Sequence, residues 1–351
     1  MELNKIYQEP CLTTLSKMEN NSIDCVITSP PYWQLRDYGY TGQWGLEPTF
    51  QQYLEHLWSM MDEIHRVLKP TGTVWINLGD TYSTQGGQNT KSHNTQYDSV
   101  KLDNKMYGVE LLKQTSLPSK CLLLLPHRFA IGCIERGYIM RNDVIWAKRN
   151  GMPESVTDRF SKKHEYFFFM VKSEKYFFDL DAIRDKHKQV SLERAERGVS
   201  ETNKWINGAD GQTAHNLSKP RENTVIKTTK IPKEQSEMFG SPRARNHRNG
   251  ENNSDNLNPL GKNPGSVSDF WDVCTKPSSH KHYASYNDEL LKKPILAGCP
   301  IGGIVYDPFM GTGSTAEICM RTGRNYIGSE MSAEYCKIAN ERLNYQNKLA
   351  L

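Results

Sequence analysis

Hydrophobic positions along the chain alternate between two spacings. Between residues 50 and 68, Leu54, Leu57, Trp58, Met61, Ile64 and Leu68 recur three or four apart, which predicts a helix with one buried face. Lys69-Pro70-Thr71-Gly72 is expected to stop it before a strand over 73–78. Upstream, the pattern predicts strands at 3–7 and Ile23–Thr28 around a helix at 12–18. Downstream it predicts a helix at 127–136, a strand at 138–147 and a hairpin over 165–178. Near the end come a helix at 288–297, a strand at 303–306, a helix at Ser314–Arg321, a strand at Asn325–Ser329 and a last helix from 332 to about 344. Strand and helix alternate at both ends, so an α/β fold with a doubly wound, mostly parallel sheet is expected, assembled from both ends of the chain.

Two stretches interrupt this order. Residues 84 to 110 are polar and contain glycine, and are expected to form a mobile loop. Residues 185 to 262 are rich in Asn, Ser, Gly and charge, with 14 basic and 10 acidic side chains, 14 − 10 = +4. The whole chain carries 44 Lys and Arg against 40 Asp and Glu, also +4. That one stretch therefore accounts for the net charge, and an insertion that grips a polyanion fits it.

The eight cysteines stand singly, with no C-x-x-C pair, which argues against a disulfide framework or a zinc site and for buried thiols in a reducing compartment. MELNKIYQEP has no apolar signal core, and the leucine run at 122–125 is too short to span a bilayer. A soluble, cytoplasmic protein without a metal is expected.

Two motifs carry chemistry. The strand ending at Thr28 leaves through Ser29-Pro30-Pro31-Tyr32-Trp33; consecutive prolines make a stiff, extended exit whose carbonyls must find donors elsewhere. Near the other end Val305-Tyr306 runs into Asp307-Pro308-Phe309-Met310-Gly311-Thr312-Gly313 and then a helix, the turn by which a doubly wound sheet lets a ligand approach the backbone. The third glycine of a dinucleotide fingerprint and the Lys of a P-loop are both missing, and Asp307 would repel phosphate. Glu330 ends the next strand, where a nucleotide site needs an acceptor for ribose hydroxyls. A cationic nucleoside without phosphates suits these residues, and S-adenosylmethionine is the common one.

With these motifs the chain resembles the amino-group DNA methyltransferases, which methylate the exocyclic nitrogen of cytosine or adenine. Their catalytic motif, (Asp/Asn/Ser)-Pro-Pro-(Tyr/Phe), reads Ser29-Pro30-Pro31-Tyr32 here. Catalytic motif first and cofactor motif last is the order of the β class, a circularly permuted methyltransferase fold. The resemblance implies a catalytic half at 1–184, a target-recognition insertion at 185–265 and a cofactor half at 266–351. Further matches are Val144-Ile145-Trp146-Ala147-Lys148, Arg159, His164-Glu165, and His282-Tyr283-Ala284 with Leu290 and Pro294. Two positions depart from the pattern. Glu9-Pro10 stands where many relatives have Gly-Asp, so either Glu9 substitutes or an adenine contact is lost; Tyr286-Asn287 stands where Phe-Pro is frequent.

The resemblance further implies that Tyr32 stacks on a flipped base, that Trp33 either supports it among the DNA contacts or, the favoured reading, packs behind the site, and that Ser29 and the Pro30 carbonyl hold the target amine. Glu9, Asp307, Pro308, Phe309, Gly311, Gly313, Glu330, His282 and Ala284 are the implied cofactor residues. Arg243, Arg245 and Arg248, in SPRARNHRNG, are candidate DNA contacts. The expected partner is double-stranded DNA, with room for a homodimer and for a companion restriction endonuclease. Ser at the first motif position goes mostly with cytosine N4 in this family, so that base is expected ahead of adenine N6. An inactive methyltransferase-like binder is the reading from another class; the intact Ser29–Tyr32 and Asp307–Gly313 motifs argue against it, while Pro10 keeps it open.

Overall fold

The computed structural model describes residues 1–83, 117–151, 154–184, 269–274 and 288–349. The chain divides into two compact units, one made of Met1–Tyr176 with Asp269–Leu351 and the other of Phe177–Ser268. Of the second, only 177–184 is described, with a short 3-10 turn at Asp181–Ile183. The loop expected at 84–110 and the insertion at 185–265 lie outside the described residues, as do His282, Ala284, Tyr286, Arg243, Arg245 and Arg248.

The first unit is built on one eight-stranded sheet in the order β1-β8-β7-β2-β3-β5-β4-β6. The strands are β1 (Lys5–Tyr7), β2 (Ile23–Thr28), β3 (Leu68–Leu78), β4 (Ile139–Ala147), β5 (His164–Val171), β6 (Phe270–Asp272), β7 (Ile304–Asp307) and β8 (Asn325–Ser329). All neighbours pair in parallel except at β5, which runs antiparallel to both β3 and β4. The helices among the described residues are α1 (Cys11–Ser16), α2 (Phe50–Val67), α3 (Leu125–Glu135), α4 (Asp288–Gly298), α5 (Ser314–Arg321) and α6 (Ala333–Leu349).

β2 is buried at all six positions, as expected of a strand in the middle of a sheet covered on both faces. Its neighbour β7 comes from the far end of the chain, with Cys25 opposite Val305 and Val26 opposite Tyr306. The amino-terminal β1 is stitched beside β8, Tyr7 opposite Ser329. The sheet is thus assembled from both ends of the sequence.

Two expectations change. Lys69-Pro70-Thr71-Gly72 does not separate helix from strand: α2 ends at Val67 and Leu68 is already extended, so the tetrapeptide opens β3. The hairpin expected over 165–178 is a single strand, β5, whose hydrogen-bonding edges are taken by β3 and β4. The aromatic pair Tyr176-Phe177 mimics a returning strand, but β5 has no unpaired edge to offer one. The thiols Cys11, Cys25, Cys133, Cys299, Cys319 and Cys336 are buried, while Cys121 is half-buried and Cys274 exposed. Burial pushes the Cys11 and Cys25 thiols up to about 12.

Thr49 caps α2 by accepting from the Gln52 amide, and Phe50, Tyr53, Leu54, Leu57, Met61 and Ile64 form its buried face. On another side Trp58 lies across α3, donating from Nε1 to the Phe129 carbonyl at 3.2 Å. Gly132 of α3 is the floor for that ring, since a Cβ there would stand 2.3 Å from Trp58 Cε2. Gly132→Ala should therefore destabilise the fold by about 1–3 kcal/mol through overpacking. Alanine's better helix propensity, about 1 kcal/mol, acts in the opposite direction. A urea midpoint at or above the native one would refute this packing.

Candidate active site

Both motifs leave adjacent parallel strands at their carboxyl ends. β2 runs into Ser29-Pro30-Pro31-Tyr32 and β7 into Asp307-Pro308-Phe309, and Thr28 Oγ1 donates to Asp307 Oδ1 at 2.6 Å across the seam. Asp307, 1% exposed, also accepts from Thr315 Oγ1 at 2.6 Å and from the Phe309 amide at 3.0 Å. Its carboxylate fastens the proline exit, the glycine turn and the start of α5 to one another. Burial pushes its pKa up to about 6, and the three donors hold it back from rising further.

Gly311 and Gly313 both adopt left-handed backbone, φ 54° and 82°, which β-carbon-bearing residues rarely do. A Cβ at Gly311 would meet nothing within 4 Å, so the turn faces open space there. Glu330, at the end of β8, receives the Gly311 amide on Oε2 at 2.9 Å and the Ser332 amide on Oε1 at 2.8 Å. Burial raises its pKa, against the pull of those two amides. Pro308 and Phe309 continue the turn between Asp307 and these glycines.

The aromatic surroundings of Phe309 are not visible in either motif. Trp44 packs edge-on against Phe309 with ring centroids 5.5 Å apart, and stacks on His56 at 5.4 Å. His56 Nδ1 meets buried Glu47 at 2.9 Å, and the Tyr40 hydroxyl meets Ser332 at 2.6 Å. The segment following Trp33 therefore lies along the glycine turn. The tripeptide Trp44-Gly45-Leu46 holds no chemical signature that would have marked it.

The proline exit is tied down by hydrogen bonds. The Pro31 carbonyl accepts from the Tyr53 hydroxyl at 2.9 Å, whereas no donor among the described residues reaches the Pro30 carbonyl. Ser29 Oγ stands 3.5 Å from the Tyr32 hydroxyl. That hydroxyl reaches Asn77 of β3 at 2.9 Å and Glu165 of β5 at 2.7 Å.

Two expected site residues are placed differently from their neighbours. Trp33 is not at the surface: it is 4% exposed, donates from Nε1 to the Glu47 carbonyl at 3.0 Å and packs edge-on against Phe50. Its place among the DNA contacts is corrected, because a core indole with its one donor used has nothing left to present. Glu9 lies at the carboxyl end of β1, near Glu330, whose amide donates to the Tyr7 carbonyl at 3.0 Å. Its carboxylate is engaged by Thr14 at 3.0 Å and by Lys17. Among the described residues there is no group of three side chains able to hold a metal ion, and no helix long and apolar enough to cross a membrane.

Residues 23–341 match the family model for N6/N4 DNA methylases. Type II methyltransferase M.Cfr9I of Citrobacter freundii is 31% identical over 347 residues, 98% of this chain and 89% of that protein. M.SmaI of Serratia marcescens is 28% identical over 326 residues, 93% and 86% of the two chains. Among solved structures, the cytosine-N4-specific PvuII DNA methyltransferase superposes with a TM-score of 0.56 at 15% identity, covering 97% of this chain and 86% of that one. A DNA modification methylase of Thermus thermophilus, solved with S-adenosyl-L-methionine, superposes at 0.51 with 18% identity, covering 96% and 92%. A proline-locked exit fastened to a glycine turn, on a sheet with one antiparallel strand and within a match of this extent, establishes that the chain belongs to the N6/N4 DNA methylase family, enzymes that draw their methyl group from S-adenosylmethionine.

Proposed function

We propose that the protein is a site-specific DNA methyltransferase that transfers a methyl group from S-adenosylmethionine to N4 of a cytosine flipped out of duplex DNA. The observation that carries this reading is the juncture of β2 and β7, where Thr28 and Asp307 hold the two motifs side by side. Ser29 at the first motif position and the likeness to a cytosine-N4-specific enzyme support cytosine over adenine.

The residues of the turn fit the cofactor. Glu330 lies where ribose hydroxyls need an acceptor, Phe309 and Trp44 offer aromatic faces for the adenine, and the open side at Gly311 lets the ligand approach the backbone. When bound, S-adenosylmethionine supplies an electrophilic methyl group on a sulfonium. Asp307, ionised above about pH 6, favours that positive charge.

An exocyclic amine is a poor nucleophile because its lone pair is delocalised into the ring. Flipping the base costs a few kcal/mol of stacking and pairing. Tyr32 receives the extruded ring on its face. The Pro30 carbonyl and the Ser29 hydroxyl accept the two amine hydrogens, which draws the nitrogen toward tetrahedral geometry and returns its lone pair for in-line attack. Pro31 is held by Tyr53, so the acceptors are fixed before substrate arrives.

In this proposal residues 1–184 and 266–351 are the catalytic and cofactor halves, 185–265 binds double-stranded DNA through its basic side chains, and the protein works in the cytoplasm. Mass spectrometry of nucleosides from unmethylated DNA treated with the purified enzyme and cofactor should show N4-methylcytosine. N6-methyladenine as sole product would replace the base assignment, and no methylated base on any DNA tested would leave only binding.

A further inference from the structure

Stacking of a base uses the face of Tyr32, yet the structure holds this residue by its hydroxyl. Glu165 Oε2 lies 2.7 Å and Asn77 Oδ1 2.9 Å from the phenol oxygen. A phenol has one proton to give, and the carboxylate is the stronger acceptor. Both acceptors are themselves fixed. Asn77 donates its amide to the Tyr166 carbonyl at 3.0 Å, and Glu165 is ion-paired with Lys148, whose ammonium also lies 4.4 Å from the centroid of the Trp146 ring. The Lys148 and Glu165 side chains are 23% and 13% exposed, so water screens the pair weakly.

The ring also has a floor. A Cβ on Gly79 would stand 2.7 Å from Tyr32 Cε2 and 3.0 Å from Cδ2, while the φ of Gly79 lies outside the left-handed region. Glycine is needed there for space and not for backbone freedom. The groups involved follow β2, β3 and β4 or sit within β3 and β5, four strands that are consecutive in the sheet.

We infer that Glu165, held by Lys148, is a positioning residue that locks the plane of Tyr32 through its hydroxyl, with Gly79 as the seat of the ring. This rests on the stacking role proposed for Tyr32 and goes beyond it. A ring ordered in advance loses no rotational freedom when the base arrives, so more of the stacking free energy opposes the cost of flipping.

The test is a double-mutant cycle in the full-length enzyme. Tyr32→Phe keeps the stacking face and removes the anchor; Glu165→Gln removes the charged acceptor but can still pair with Lys148. Each should lower kcat/KM for DNA about tenfold, as for a hydrogen bond to a charged group, with cofactor affinity by calorimetry unchanged. Because both remove one interaction, the double variant should be no slower than either single one. Gly79→Ala should slow transfer similarly with Tyr32 present and add nothing to Tyr32→Ala. Additive losses in the cycle, or single variants at the native rate, would overturn the anchor. Native activity in Tyr32→Ala would instead remove the stacking role on which it rests, so the two failures are distinguishable.

Discussion

Asp307→Ala is expected to weaken S-adenosylmethionine binding by more than tenfold and to destabilise the fold, whereas Asp307→Asn should spare the fold and change how stability depends on pH. The carboxylate takes hydrogen bonds from Thr28, Thr315 and the Phe309 amide in a site with almost no solvent. Alanine leaves those donors without an acceptor, and a buried unsatisfied group costs about 1–3 kcal/mol; the hydroxyls can turn away in part, the amide cannot. Asparagine keeps the shape, and its amide can donate to a reversed threonine hydroxyl.

The pH dependence follows from the direction of the shift. Burial lifts the Asp307 pKa from the ordinary 3.8 to about 6, so between those values the folded protein holds a proton that the unfolded chain has released. Stability from this group is fully present below about pH 4 and is lost as pH rises through about 6, a change of about 3 kcal/mol. Glu330, whose pKa is also raised by burial, adds to the same slope. Urea unfolding from pH 4 to 7 should show the wild type losing stability relative to Asp307→Asn across that window. Cofactor affinity should move the other way in the wild type, strengthening as Asp307 ionises. Parallel stability profiles for the two proteins would sink the account of Asp307 as a buried acid.

The parts of this architecture that the sequence makes legible are those fixed by local pattern. β2 carries the apolar run Cys25-Val26-Ile27 and is followed by prolines, and α5 and β8 follow the glycine turn with the bounds their periodicity predicts. What sequence hides is decided by pairing between distant segments. β5 looks like half of a local hairpin, yet its partners are β3 and β4. Trp33 adjoins the binding motif and reads either as a contact or as packing, and the fold decides for packing by turning its indole to the Glu47 carbonyl. The anchor of Tyr32 is a case of the same kind: Asn77 and Glu165 lie 45 and 133 residues further along the chain. Asn77 has no local signature and Glu165 is marked only as a family match; their meeting depends on the order β2-β3-β5-β4 in the sheet. The fit of Asp307 to Thr28, 279 residues apart, is likewise a product of the sheet's assembly from both ends.

Tyr32→Ala should have the largest effect on methyl transfer itself. The substitution deletes the face on which the flipped base rests, worth about 1–3 kcal/mol for base–aromatic stacking. It also withdraws the one proton that reaches Asn77 and Glu165, leaving the carboxylate paired with Lys148 but without the phenol. Single-turnover transfer of labelled methyl groups to DNA should therefore fall about tenfold to a hundredfold. Cofactor affinity should stay near native, because Phe309, Gly311 and Glu330 belong to the turns after β7 and β8 and none of them is hydrogen-bonded to Tyr32 among the described residues. Tyr32→Phe, which keeps the face and loses only the anchor, should lie between Tyr32→Ala and the wild type. The order separates the two contributions: if Tyr32→Phe is as slow as Tyr32→Ala, the hydroxyl and not the ring face limits transfer, and the stacking role proposed for this residue fails.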